Sequence, residues 1–260
     1  MRAIFFFAPS PTQPQMAADY LRFLSASLKI NRKYFENTLL YTHESAPIPE
    51  SMEIDEIIRL PSRHRHFMHY LRVVSWAHYL DSERFDADTV FLDADVVLNR
   101  GLDEVFDNDF ALAFAAMPSA KSYSCINTGV IFARNAEKRA ACAHAEKLAQ
   151  IAGELRLMKE PRFPQFKSAG VWGVDEMCVY QYLDDKARAR HTTLRDIVGT
   201  IGFDQFSGFG EGISLFGGKF NSDYRKVDES EWNTPSALHF QGFPKTKLFE
   251  YCDKLSMAGG

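Results

Sequence analysis

The feature that most constrains this chain is the run Thr89-Val90-Phe91-Leu92 followed at once by Asp93-Ala94-Asp95. A short continuous apolar run is the mark of a strand buried on both faces. Carboxylates are costly inside such a strand unless they reach water or a cation, so this pair must emerge at the strand's end. Carboxyl ends of strands are where open α/β sheets take ligands. Two oxygen donors placed there suit Mn²⁺ or Mg²⁺ holding a diphosphate. A solvated turn is the plainer reading of Asp-x-Asp, and these residues alone leave both open.

The surrounding sequence alternates strands and helices. Residues 3–8 form a second buried apolar run, and Pro9, Pro11 and Pro14 make a loop after it. Met16, Tyr20, Phe23, Leu24 and Leu28 recur near helical spacing over residues 16–30. Further strands are predicted at 38–42, 57–60, 111–116 and 129–132. Helices are predicted over 66–80 and 135–152, the second closed by Gly153. Residues 154–173, with Pro161 and Pro164, read as an excursion or lid. Gly208-Phe209-Gly210-Glu211-Gly212 lacks the strand and helix of a dinucleotide fingerprint and reads as a flexible loop near the active face. The alternation predicts one α/β domain over residues 1–260, with a mostly parallel central sheet flanked by helices.

Composition removes several functions. Lys and Arg total 30 against 34 Asp and Glu, a net charge of −4, which argues against a nucleic-acid partner. Cys125, Cys142, Cys178 and Cys252 are too far apart for a CxxC zinc site, and a disulfide framework is not expected. No run approaches the roughly 18 apolar residues of a membrane helix. The expectation is a cytoplasmic protein with no transmembrane segment, open to peripheral membrane contact. Arg63-His64-Arg65-His66, with His69 beyond, lacks an evident carboxylate or cysteine partner for zinc. It reads as an exposed helix entrance that an anionic acceptor or lipid headgroup would suit.

A second constellation lies near the C-terminus: Leu238-His239-Phe240-Gln241-Gly242-Phe243-Pro244-Lys245. A neutral imidazole can complete a Mn²⁺ shell begun by two carboxylates. Gly242 allows backbone to approach a phosphate, and Lys245 supplies a point charge. A lone histidine is more often packed or at the surface, so His239 alone decides nothing.

Taken in order, these segments resemble the GT-A glycosyltransferases, especially the glycogenin-like (family 8-like) retaining enzymes. An early strand is followed by a loop, and Tyr70-Leu71-Arg72 precedes "TVFLDADVVL". "INTGVIFAR" is similar to that family's Asn-Ser-Gly-Val segment. "GVDE", "GKFN" and "HFQGFPK" follow, the last similar to its His-x-x-Gly-x-x-Lys. Asp175-Glu176 stands where the family often has Asp-Gln, and Lys245-Thr246 where it commonly has Lys-Pro.

The resemblance implies Asp93, Asp95 and His239 as metal ligands, with Ala94 between the aspartates. It implies Gly242 and Lys245 at the diphosphate, Arg72 at the nucleotide phosphate or donor sugar, and Ala8 and Pro9 near the nucleotide base. Asn127 and Thr128 would line the donor-sugar pocket, and Asp175 and Glu176 would touch donor or acceptor. Asp175, Glu176 and Lys245 would carry the catalysis, and residues 232–260 would fold back over the donor site.

The activity implied is transfer of a hexose from a nucleotide-sugar, a UDP-sugar above all, to a hydroxyl of a glycan, lipid-linked or protein acceptor. The cofactor would be Mn²⁺ or Mg²⁺, and the configuration retained. Two rivals stay open: an inverting GT-A transferase with Asp175 or Glu176 as general base, and a nucleotide-sugar-binding protein with little turnover. A nucleotidyltransferase would need a glycine-rich phosphate loop near the N-terminus, and residues 8–15 hold no glycine.

Overall fold

The chain begins with β1 (Arg2–Phe6), α1 (Pro14–Asn31), β2 (Asn37–His43), β3 (Glu56–Leu60), α2 (Met68–Asp81) and β4 (Thr89–Leu92). β5 (Val96–Leu98), β6 (Leu112–Ala116), β7 (Ile126–Ala133), α3 (Lys138–Leu155), α4 (Val174–Arg188) and α5 (Leu194–Gly199) follow. β8 (Phe206–Gly210), β9 (Ile213–Phe216), β10 (Ser222–Asp223), β11 (Ala237–His239) and α6 (Thr246–Ala258) complete it. This computed structural model describes residues 1–9, 14–61, 68–117, 125–157, 173–241 and 246–258.

Eight strands form the central sheet in the order β3-β2-β1-β4-β7-β6-β9-β8. β1 pairs in parallel with both β2 and β4, and β2 with β3. β7 runs antiparallel between β4 and β6, β9 is parallel to β6, and β8 is reversed at the edge. The sheet is therefore mostly parallel, as predicted. The chain order runs outward from β1 to β3 on one side and continues at β4 on the other. The carboxyl ends of β1 and β4 thus flank the point where the topology reverses, the position where open α/β sheets form a ligand crevice.

Both faces of the sheet are covered. Leu71, Val73, Trp76 and Tyr79 of α2 share one core with Ala145 and Leu148 of α3 and Met177 and Leu183 of α4. Leu24 and Leu28 of α1 join the opposite core with Phe5, Leu92 and Phe132. The all-apolar interiors of β1 and β4 follow from this double covering.

A second, three-stranded sheet, β10-β11-β5, stands beside the first. β11 lies antiparallel to β5, pairing Ala237 with Leu98, Leu238 with Val97 and His239 with Val96. Phe23 and Ile30 of α1 pack with Leu238, Phe240, Leu248 and Tyr251, which docks α6 beside α1.

Two local expectations are corrected. Gly153 does not end α3, which continues to Leu155. A terminating glycine works through a left-handed backbone, and Gly153 is not among the residues with positive φ. The 208–212 segment is not an irregular loop at the active face. It is a hairpin between β8 and β9 at the sheet's outer edge, and Glu211 (φ 53°) and Gly212 (φ 77°) supply the left-handed turn.

Candidate active site

Asp93-Ala94-Asp95 is the turn that joins β4 to β5. The Val96 N–H donates to Asp93 O at 3.2 Å, and the Asp93 N–H donates to Gly129 O of β7 at 2.8 Å. α1 holds the turn from below. Ser27 Oγ donates to Ala94 O at 2.9 Å, and Asn31 Nδ2 donates to Val96 O at 2.8 Å while its Oδ1 accepts the Leu98 N–H at 2.8 Å. Ala94 is buried against this support, so a larger side chain there has no room to leave the turn undisturbed.

The β5–β11 register places His239 opposite Val96, one residue beyond Asp95. The Phe240 N–H donates to Asp95 O at 2.9 Å and fixes the approach. His239 Nε2 then lies 3.2 Å from Asp95 Oδ1 and 3.6 Å from Asp93 Oδ2. One ligand atom from each of the three residues lies within 4.8 Å of the others. Two carboxylates and an imidazole are a donor set for Mn²⁺, with Mg²⁺ the harder alternative, and not for a thiolate-seeking metal.

Beside them, Arg72 of α2 joins two further carboxylates. Its Nη2 lies 2.5 Å from Asp93 Oδ1, its Nη1 donates to Asp175 Oδ2 at 2.9 Å, and its Nη2 donates to Thr128 O at 2.6 Å. His69, one helical turn earlier, has its Nδ1 3.0 Å from Asp175 Oδ1. Asp175 and Glu176 occupy the first turn of α4. Asn127 Nδ2 donates to Glu176 Oε1 at 3.1 Å.

The electrostatics are those of a site with too much negative charge. Burial, with Asp95 and Asp175 nearby, pushes the Asp93 carboxyl up, although Arg72 and His239 oppose it. Burial alone would raise Asp175 too, but His69, Arg72 and the Glu176 N–H hold it below the usual carboxylate range. For Glu176 the balance goes the other way: burial, Asp175 and Asp93 push it up to about 8, outweighing Arg72 and the Asn127 hydrogen bond. A divalent cation at Asp93 and Asp95 would offset this charge.

Most of the sequence-predicted residues meet here. Asp93, Ala94, Asp95, Arg72, Asn127, Thr128, Asp175, Glu176 and His239 form one connected cluster. Ala8 and Pro9 stand just beyond β1, whose neighbour is β4. Gly242 and Lys245 lie outside the described residues, as do Arg63, His64, Arg65 and His66 and most of 154–173. Sequence reasoning missed two members. In the sequence His69 stands out only as part of a basic run, and its partner is 106 residues away. Asn221 was visible in "GKFN" but given no role. Among the described residues a second group, Asp81, Cys142 and Glu146, has metal-ligand spacing. It lies on α2 and α3, with both carboxylates exposed and no tie to this cluster.

No protein-family model matches this chain, and no curated protein matches it in sequence. Its fold is nonetheless shared with solved glycosyltransferases. It is similar to a glycosyltransferase involved in glycosylating the major capsid of PBCV-1, with a TM-score of 0.55, 13% identity, and coverage of 97% of this chain and 98% of that one. The galactosyltransferase LgtC, solved with donor and acceptor sugar analogues, gives a TM-score of 0.53 at 11% identity, covering 98% and 96%. The glycosyltransferase GlyE of Streptococcus pneumoniae TIGR4 gives 0.56 at 14% identity, and there the chain spans 61% of the longer protein. The GT-A fold that the ordered motifs implied is the one it shares with these solved glycosyltransferases.

Proposed function

We propose that this protein is a metal-dependent hexosyltransferase that takes its sugar from a nucleotide-sugar, a UDP-sugar first, and transfers it with retention to an acceptor hydroxyl. The observation that carries this reading is the meeting of Asp93, Asp95 and His239 at the carboxyl end of β4. Those three residues would hold Mn²⁺ or Mg²⁺. When bound, the cation offsets negative charge on the departing diphosphate.

The chain's own residues divide the remaining tasks. Arg72 presents a rigid, buried guanidinium between Asp93 and Asp175 and stands ready to meet a donor phosphate or sugar hydroxyl. Ionised Asp175 accepts hydrogen bonds from sugar hydroxyls and stabilises positive charge at the anomeric carbon. Asn127 and Thr128 line the sugar pocket with Glu176. Ala8 and Pro9 flank the base, Gly242 and Lys245 close on the diphosphate, and residues 232–260 fold over the donor. The acceptor is a glycan, a lipid-linked sugar or a protein. Among the described residues no helix is long and apolar enough to cross a membrane.

The raised Glu176 carboxyl favours a second reading, an inverting transferase. A carboxyl near 8 is matched to taking a proton at physiological pH, and Glu176 would then be the general base.

The test is a screen of UDP-, GDP- and ADP-sugars for nucleoside-diphosphate release with Mn²⁺ or Mg²⁺. The proposal expects release from one donor class, dependent on added cation and lost in Asp95→Asn. Binding without release would favour a nucleotide-sugar-binding protein.

A further inference from the structure

Behind the three candidate ligands lies a buried chain of polar groups whose direction can be deduced. It starts at a donor that cannot be reversed, the backbone N–H of Gly129, which donates to Asn127 Oδ1 at 2.8 Å. That bond fixes which end of the Asn127 amide is oxygen. The same oxygen accepts Asn221 Nδ2 at 2.7 Å, so Asn221 must present its own oxygen at the other end. Asn221 Oδ1 lies 3.2 Å from His239 Nδ1. An amide oxygen can only accept, so His239 Nδ1 must donate and carry a proton. Gln241 Nε2 is also within 3.3 Å of that nitrogen. Among the described residues its amide has only the weak contact with Met117 Sδ at 3.8 Å to oppose a half-turn that presents oxygen instead.

The consequence falls on the other ring nitrogen. With Nδ1 committed to Asn221, Nε2 is the one free to give a lone pair to a cation, and Nε2 is the atom facing Asp93 and Asp95. Asn221, Asn127 and His239 are all buried, so water cannot substitute for a lost partner without a cost. Gly129 makes the arrangement spatially tight, because a Cβ there would run into the His239 ring and the Asn127 side chain. The chain continues from Asn127 to Glu176 at 3.1 Å. One set of hydrogen bonds therefore spans from the candidate metal ligand to the candidate sugar-facing carboxyl.

We propose that Asn221 is a positioning residue for this site. It holds His239 with Nδ1 protonated and Nε2 aimed at the cation, and through Asn127 it sets the orientation of the group that meets Glu176. The proposal rests on the metal-site reading above for its functional meaning, but its structural content is independent of activity. Its proton-position and metal-affinity readouts need neither a substrate nor turnover.

The experiment is long-range ¹H–¹⁵N NMR of histidine-labelled protein, metal-free and with Mg²⁺, paired with Mn²⁺ titration by electron paramagnetic resonance. Three proteins are compared: wild type, Asn221→Leu and Asn221→Asp. In wild type, Nδ1 of His239 should be protonated in both states. Asn221→Leu should lose that fixed proton position and weaken Mn²⁺ binding by about 10- to 100-fold, the usual cost of removing a partner behind a metal ligand. Asn221→Asp keeps an acceptor for Nδ1 but cannot donate to Asn127. It should retain the Nδ1 proton and Mn²⁺ affinity at or above wild type, while its donor turnover falls through the Glu176 arm.

A wild-type His239 protonated at Nε2 alone in the Mg²⁺ sample would overturn the proposal, as would Asn221→Leu with unchanged tautomer and affinity. Equal losses in both variants would make Asn221 a packing residue and overturn it too. A wild-type protein with Nδ1 protonated but no cation bound would leave the positioning intact and refute the metal reading instead.

Discussion

His239 Nε2 stands 3.2 Å from Asp95 Oδ1 because His239 is paired with Val96 across the β5–β11 ladder. Two distant parts of the sequence are thus brought together by three residue pairs of backbone. The meeting has little slack, and several expected outcomes depend on that.

Gly129→Ala tests the space behind the imidazole. The new methyl group would displace the His239 ring, and overpacking of this kind costs about 1–3 kcal/mol. A shift of about 1 Å at a ligand can cost roughly 10²-fold in rate. Urea denaturation should show a folded protein of modestly lower stability, and donor turnover should fall at least about 10²-fold. Full activity in this variant would mean that His239 does not need its observed place.

Arg72→Ala removes the cation shared by Asp93 and Asp175. Breaking a buried ion pair by removing one partner costs about 3–5 kcal/mol, and the contacts of His69 with Asp175 and of His239 with Asp93 place this loss at the low end. The loss should depend on pH in a definite direction. Asp175 is held below its usual range in the native protein, so its contribution is present above the ordinary carboxylate range and is lost as pH falls through the lowered value. The stability gap between wild type and variant, read by urea denaturation from about pH 2 to about pH 6, should therefore widen as pH rises through the ordinary carboxylate range and level off above it. A constant gap would point to packing alone.

Glu176→Gln has the opposite sign. The folded state holds this carboxyl at about 8, so the protonated form is favoured on folding. Its contribution is complete below the unfolded value near 4.3 and declines as pH rises through about 8. The amide variant, free of this penalty, should be the more stable protein at pH 8 and differ little at pH 4. Its activity should fall, since the site gives up stability for a carboxyl that touches the sugar. Thermal melts of the metal-free proteins at the two pH values decide it.

The product's configuration separates the two readings of Glu176. Proton NMR of freshly formed product from a UDP-α-sugar should show an α-linked sugar. A β-linked product would make Glu176 the general base of an inverting enzyme.

Much of this was legible in the sequence, for identifiable reasons. Buried strands such as β1 and β4 carry continuous apolar runs, and the two aspartates stand out where such a run ends. His239 was found through the order of motifs rather than any local signal. β5 and β11 are each three residues long, too short for periodicity to reveal that they pair. The roles of His69 and Asn221 depend on partners far away in the chain, Asp175 and Asn127, which no local pattern discloses. The glycines at 208–212 misled because a hairpin turn and an irregular loop both demand left-handed backbone.

In the proposed site, Asp93, Asp95 and His239 together hold a divalent cation against a nucleoside diphosphate. Electron paramagnetic resonance titration of Mn²⁺ into the protein with UDP present tests it most directly. The account predicts one tightly bound ion per chain, with affinity reduced at least about tenfold in each of Asp95→Asn and His239→Ala. Mn²⁺ binding that these two substitutions leave unchanged would contradict it.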